Sequence, residues 1–230
     1  MKDPIQAIPL TNLAVAFLPV AVVVAILYRW SIGGWTTLYA MARMLVQLLL
    51  IGYVLTYIFD TENHLVVLAV LTGMLLIASW IALRPLREKH FLKALGAICL
   101  GGVTTLVLIT QGVMGIEPWF LPKKVIPLAG MIFAGAMNAV SLAGERFDAE
   151  TDRDVAYHEA RRTALSAALI PITNSLFAVG LVSLPGMMTG QILSGVDPLV
   201  AARYQIMVMC MLFGSSGISA ACYLSWVRAE

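Results

Sequence analysis

Leu65-Val66-Val67-Leu68-Ala69-Val70-Leu71-Thr72-Gly73-Met74-Leu75-Leu76-Ile77-Ala78-Ser79-Trp80-Ile81-Ala82-Leu83 contains no charged side chain and only two hydroxyls. A run of this kind matches the roughly 20 apolar helical residues that cross a hydrocarbon core about 30 Å thick. Comparable runs occupy Ile8–Tyr28, Thr36–Phe59, Leu92–Val113, Val125–Ala143, Leu165–Leu184 and Tyr204–Trp226. The sequence thus predicts an all-α, polytopic integral membrane protein with about seven transmembrane helices. Residues 1-230 read as a single transmembrane domain with one charged segment at about 144–165.

Composition excludes the soluble alternative. Of the 230 residues 60% are hydrophobic and 12% charged, and the mean hydropathy is +0.88. A soluble chain carries about 25% charged residues because water must wet its surface. The bilayer is therefore the first partner. A net charge of +2 gives no ground for a nucleic-acid partner. Cys99, Cys210 and Cys222 fall inside apolar runs without CxxC or ligand spacing and read as small packing residues. The first run is too long for a signal peptide, and no small-residue cleavage site follows it before Arg29-Trp30, so a retained helix is expected.

Basic residues set the expected orientation. Arg29, Arg84, Arg87, Lys89, Lys93, Arg146, Arg153, Arg161, Arg162 and Arg228 share one side if the runs alternate. Lys2, Lys123, Lys124 and Arg203 share the other with Asp60 and Glu62, a bias of ten against four. The N-terminus is expected outside, and the C-terminus and the long charged connection in the cytoplasm. Arg43 alone lies more than one residue inside a run. About two turns from the cytoplasmic edge it can snorkel towards the interface, and Gln47 follows at i+4 on the same face. The pair reads either as a structural contact or as part of a polar pathway.

Gly144–Arg162 holds Glu145, Arg146, Asp148, Glu150, Asp152, Arg153, Asp154, Glu159, Arg161 and Arg162, a density met nowhere else in the chain. Asp152 or Asp154 is a candidate N-cap for a helix from Val155 onward. Tyr157, Ala160 and Arg161 fall at i, i+3 and i+4, on a face that another protein could cover. The alternative is a solvated loop.

Beyond Pro171 and Asn174-Ser175, the sixth run reaches Pro185-Gly186, where loss of an amide and weak helix propensity predict a kink, break or end. A break at membrane depth must be buried in protein or line a cavity. Such breaks are common where transporters bind substrate. Alternatively the dipeptide marks the outer end of the span. Met187, Met188, Met207, Met209 and Met211 offer soft thioethers, or adaptable packing.

The string Val182-Ser183-Leu184-Pro185-Gly186-Met187-Met188-Thr189-Gly190-Gln191-Ile192-Leu193-Ser194-Gly195, with Asp197-Pro198 and Arg203-Tyr204-Gln205, resembles the signature of the bacterial iron-export ABC transporter permeases. That family includes the plant aluminium-sensitivity proteins. Arg43 with Val46-Gln47-Leu48 and Gly52, Ile126–Met131 with Met137-Asn138, and Ala168–Pro171 with Asn174-Ser175 extend the likeness over nearly the whole chain. The resemblance implies a permease in the bacterial inner membrane, paired with a separate ATP-binding subunit and with a second copy of itself. It would bind no cofactor of its own, since ATP-Mg would sit on the partner. The cargo would be iron or another metal, or, as in some plant relatives, a nucleotide sugar.

Candidate roles come from the polar groups inside the runs, from the break and from the resemblance together. Arg43, Gln47, Asn138, Asn174, Ser183, Pro185, Gly186, Met187, Met188 and Gln191 become substrate-pathway candidates. Arg146, Arg153, Tyr157, Glu159, Ala160, Arg161 and Arg162 become candidates for coupling to the ATPase. The coupling region only loosely matches the EAA loop of importer permeases. Arg161 follows Glu159-Ala160 where that loop has alanine, and Leu165 stands at its glycine.

Other classes fit less well. Gly214-Ser215-Ser216-Gly217 matches the GxSG of rhomboid-type proteases, but His64, His90 and His158 all lie in connections, away from a nucleophile at span depth. Neither an HExxH nor a GxxxxGK[ST] motif occurs. A stand-alone carrier or channel is the other alternative. Apart from Arg43, and Lys93 in the first turn of its run, the runs hold no charged group, against the usual pattern of proton-coupled carriers.

Overall fold

The computed structural model describes residues 9–61 and 63–227. Expectations resting on Lys2, Ile8, Glu62 and Arg228 lie outside the described residues. Helices follow one another as α1 (Leu10–Val15), α2 (Leu18–Arg29), α3 (Gly34–Phe59), α4 (His64–Ala82), α5 (Phe91–Ile98), α6 (Thr104–Val107), α7 (Pro122–Thr151), α8 (Tyr157–Ala178), α9 (Gly186–Leu193) and α10 (Pro198–Trp226). π-helical turns at Cys99–Val103 and Leu108–Val113 continue α5 and α6 into one helix, Phe91–Val113. Among the described residues the only bridge of strand type is isolated, between Val179 and Ser183. The all-α expectation holds.

Two compact units divide the chain, residues 1–58 and 59–230. In the first, proline enters α2 in its opening turn, where the missing amide costs little. Gly33, at φ +85°, supplies the left-handed turn that reverses the chain into α3. α2 buries none of its side chains, and Tyr53 and Leu49 of α3 are 85% and 73% exposed. Lipid, as apolar as these side chains, is the solvent such surface needs. Exposed Tyr28, Trp30, Trp35 and Tyr39 gather near Arg29 at the α2–α3 turn, the pattern of a membrane–water interface.

The second unit is built on α7, which packs against α4, α8 and α10. Val125, Leu128, Ala129, Ile132, Phe133, Ala136, Ala139, Val140, Ala143 and Phe147 recur at helical spacing and are buried. Many are alanines, so neighbouring helices come close.

α7 does not stop near Ala143 but runs through the charged segment to Thr151. Its extension is held by the i,i+4 ion pair of Arg146 with Glu150. Arg87 adds a backbone N–H donated to Asp148 at 3.3 Å and a guanidinium 2.7 Å from Asp152. α8 begins at Tyr157, with Ala156 as its uncapped N-terminal flank, so neither Asp152 nor Asp154 caps it. Asp152 instead closes the C-terminus of α7.

Among the described residues six helices, not seven, are long and apolar enough to cross a bilayer: Thr11–Arg29, Gly34–Phe59, His64–Ala82, Phe91–Val113, Pro122–Thr151 and Pro198–Trp226. The expected sixth run falls short because Glu159, Arg161 and Arg162 occupy the start of α8, and α8 ends at Ala178, well before Leu184. The break therefore opens earlier than Pro185-Gly186. The amides of Val182 and Ser183 both donate to the Ala178 carbonyl, at 2.8 and 3.1 Å, around Gly180 at φ +83°. Pro185 then flanks the N-terminus of α9 and Gly186 is its first residue.

Side-chain contacts fix which ends lie together. The Tyr157 hydroxyl donates to the Leu224 carbonyl at 2.9 Å, so the start of α8 sits level with the end of α10. Leu176, Val179 and Gly180 share a cavity with Ala202, Gln205 and Ile206, so the other end of α8 lies beside the first turns of α10. Arg87 ties the α4–α5 connection to the end of α7. At the opposite end of α7, Lys123 lies 3.4 Å from Asp60. Within this unit the connections group as the charge pattern expected.

Candidate functional site

Restarting the chain at Gly186 puts Met187 and Gln191 one helical turn apart on one face of α9. Both line a cavity of about 550 Å³ together with Met114, Lys123, Lys124, Pro127, Leu128, Met131, Val196, Tyr204 and Met207. The Gln191 side-chain oxygen is buried and accepts no hydrogen bond from the protein. An orphaned buried acceptor costs free energy, about 1–3 kcal/mol, unless a ligand or water satisfies it.

Met188, on the adjacent face of α9, lines a second cavity of about 370 Å³ with Gln205, Met209 and Cys210 of α10. Gln205 is only 6% exposed, and its oxygen also lacks a partner. The break thus gathers Met187, Met188 and Gln191 around two cavities. Pro185 and Gly186 contribute the restart itself, and the Pro185 carbonyl accepts from Thr189 Oγ1 at 3.1 Å. Asn138, Asn174 and Ser183 are exposed and line neither cavity.

Arg43 and Gln47 belong to the first unit. With the Gln47 amide turned so that its oxygen faces the guanidinium, it accepts from Arg43 Nε at 3.1 Å and from Nη2 at 3.3 Å. This is the i,i+4 contact that the sequence suggested.

The charged end divides by face. Ala160 is fully buried, and the Tyr157 ring stands edge-on to Phe147 at 5.8 Å and 81°. The Arg161 guanidinium lies 5.6 Å from the centre of the Tyr157 ring. Of the face expected to await another protein, Ala160 is covered from within the chain, while Tyr157 and Arg161 stay partly exposed. Glu159 and Arg162 point the other way, into a cleft of about 580 Å³ between α7 and α8. Arg146, Thr163 and Ser166 complete its polar lining, and the Arg146 Nε is buried without a partner. Arg153 is exposed.

Tyr157→Phe removes the bond to Leu224 but keeps the ring, and is expected to lower stability by about 1 kcal/mol. Thermal unfolding in detergent would measure it, and an unchanged transition would show that the bond contributes nothing.

Met114, Met131 and Tyr204 were not singled out from the sequence as site residues. They come from three separate segments, and no local spacing brings them together. Among the described residues no group of three or more His, Cys, Asp or Glu converges to hold a metal.

A multi-pass helical body with a broken helix beside two half-open cavities defines a polytopic helical membrane protein. The family signature of the uncharacterised protein family UPF0014 matches residues 10–230, and the chain belongs to that family. It is 39% identical over 201 residues to a UPF0014 membrane protein of Synechocystis, covering 79% of this chain and 77% of that one. To the Escherichia coli protein named "Probable iron export permease protein FetB" it is 37% identical over 236 residues, 94% of this chain and 90% of that one. To the Arabidopsis thaliana protein ALUMINUM SENSITIVE 3 it is 30% identical over 224 residues, covering 90% and 81%. No solved structure matches the chain.

Proposed function

We propose that this chain is the membrane-spanning permease subunit of an ABC transporter in the bacterial inner membrane. Two copies would pair with separate ATP-binding subunits. The observation that carries the reading is the cavity of about 550 Å³ beside the restarted helix α9, lined by Met187 and Gln191. A packed helical body has no structural need for such a space. Iron is the first cargo to test, because a relative of matching length is named for iron export.

In this reading α8 is a seventh crossing. Its 22 residues extend about 33 Å at 1.5 Å per residue, beside a helix that already qualifies as a span. The charged ends of α7 and α8 face the cytoplasm, as their arginine excess favours. The cleft of Arg146, Glu159 and Arg162 receives the ATP-binding subunit, and Arg153 lies exposed nearby. Tyr157, Ala160 and Arg161 shape that end from beneath.

The test is co-expression with an ATP-binding subunit, followed by ATP-dependent iron movement in proteoliposomes. The Glu159→Ala/Arg162→Ala double variant is expected to lose at least tenfold of transport-coupled ATP hydrolysis while remaining folded. Failure of any ATP-binding subunit to co-purify with the unaltered chain would sink the reading. Unchanged coupling in the double variant would remove this cleft from its assigned role.

A further inference from the structure

Four thioethers from four separate segments meet at one cavity. Met114 follows the second π-helical turn, Met131 lies on α7, Met187 on α9 and Met207 on α10. The only side-chain amide lining it, Gln191, has a buried oxygen without a protein partner. The neighbouring cavity has the same character, with two thioethers, one thiol and the unpartnered oxygen of Gln205. A cavity that only needed filling would be served by leucine at these places. Flexible, polarisable sulfur is the donor that soft cations select, whereas hard cations demand carboxylate or carbonyl oxygen in number.

We propose that the cavity of Met114, Met131, Met187 and Met207 binds a soft, thiophilic monovalent cation of the Cu(I)/Ag(I) class. This rests on the reading of the cavity as the cargo site and departs from it on the cargo, because thioethers without carboxylates suit a soft cation better than iron. Lys123 and Lys124 also line the cavity; both are exposed to solvent, and Lys123 is paired with Asp60. Neutral thioethers hold a soft cation by covalency and need no counter-charge in the cavity. The methionine of α9 adjoins the break, so movement of that short helix would remove one ligand and release the ion.

The test uses the purified full chain in nanodiscs, with Cys99, Cys210 and Cys222 replaced by serine, and Ag(I) as the probe. Binding is measured by equilibrium dialysis against the same protein carrying Met187→Leu and Met207→Leu. The expected result is stoichiometric silver on the cysteine-free chain and at least a tenfold loss of affinity in the methionine variant. Leucine nearly conserves volume, so folding should survive. Should the variant fail to fold, X-ray absorption of Cu(I) on the cysteine-free chain decides instead. Sulfur neighbours there can come only from methionine and support the proposal, whereas a shell of oxygen and nitrogen alone overturns it. Absence of silver binding, or equal binding by the methionine variant, also overturns it. None of these readouts involves ATP, so their failure leaves the permease reading standing, and failure of coupling leaves the metal site standing.

Discussion

Gly101→Val is expected to yield no folded, monodisperse protein. A Cβ at Gly101 would lie 2.8 Å from the Ser219 amide nitrogen and 3.0 Å from the Ser215 carbonyl oxygen. Both are backbone atoms of α10, so no rotamer change makes room. The π-helical turn Cys99–Val103 would have to move away from α10 as a body, opening a contact that also buries Ser215 and Ser219. Overpacking a tight interior costs about 1–3 kcal/mol even where side chains can adjust, and more against backbone. Gly101→Ala should already lower the midpoint of thermal unfolding, and valine should prevent recovery from the membrane in native form. Gly214→Ala serves as the control, because nothing lies within 4 Å of a Cβ built there. Size-exclusion profiles in mild detergent compare the three, and a valine variant that elutes and melts like the parent would show that the helices can separate freely.

Filling the cavity is expected to stop transport without disturbing assembly. Met131→Phe with Met207→Phe places two rings in a space of about 550 Å³ and crowds Gln191. Under the permease reading this double variant should fall more than tenfold in ATP-dependent flux. It should still co-purify with the ATP-binding subunit, because the Arg146–Glu159–Arg162 cleft lies at the other end of α7. Met188→Phe in the neighbouring cavity should act more mildly if that space is a secondary station. Flux equal to the parent in the double variant would mean that cargo passes elsewhere.

The helical membrane character was plain in the sequence, because apolar run length answers to one physical constraint, the thickness of the bilayer. Boundaries failed where side-chain chemistry overrode hydropathy. The charged residues after Ala143 read as a loop, yet Arg146 with Glu150 and Arg87 with Asp148 and Asp152 let the helix continue. Pro185-Gly186 was correctly read as a discontinuity, but the preceding cap is set by Gly180 at positive φ, which no hydrophobic pattern reveals. Of the pathway candidates, Met187, Met188 and Gln191 reach cavities because they share the short helix after the break. Asn138 and Asn174 were chosen for polarity alone, and polarity does not say which way a side chain faces. The inward turn of Tyr157 and Ala160 illustrates the same gap, since i,i+3,i+4 spacing defines a face but not its neighbour.

The 30 residues of α7 make a rod about 45 Å long. Lys123 and Met131 near one end border the cavity, while Arg146 near the other borders the charged cleft. The two places are thus stations on one beam. Pivoting that beam by about 5° about one end shifts the far end by roughly 4 Å, about the size of a metal ion with one ligand. Between Met131 and Arg146 the beam contains no proline, so under the permease reading a push delivered at the cleft would arrive at the cavity as a lever stroke rather than as a relay of small rearrangements.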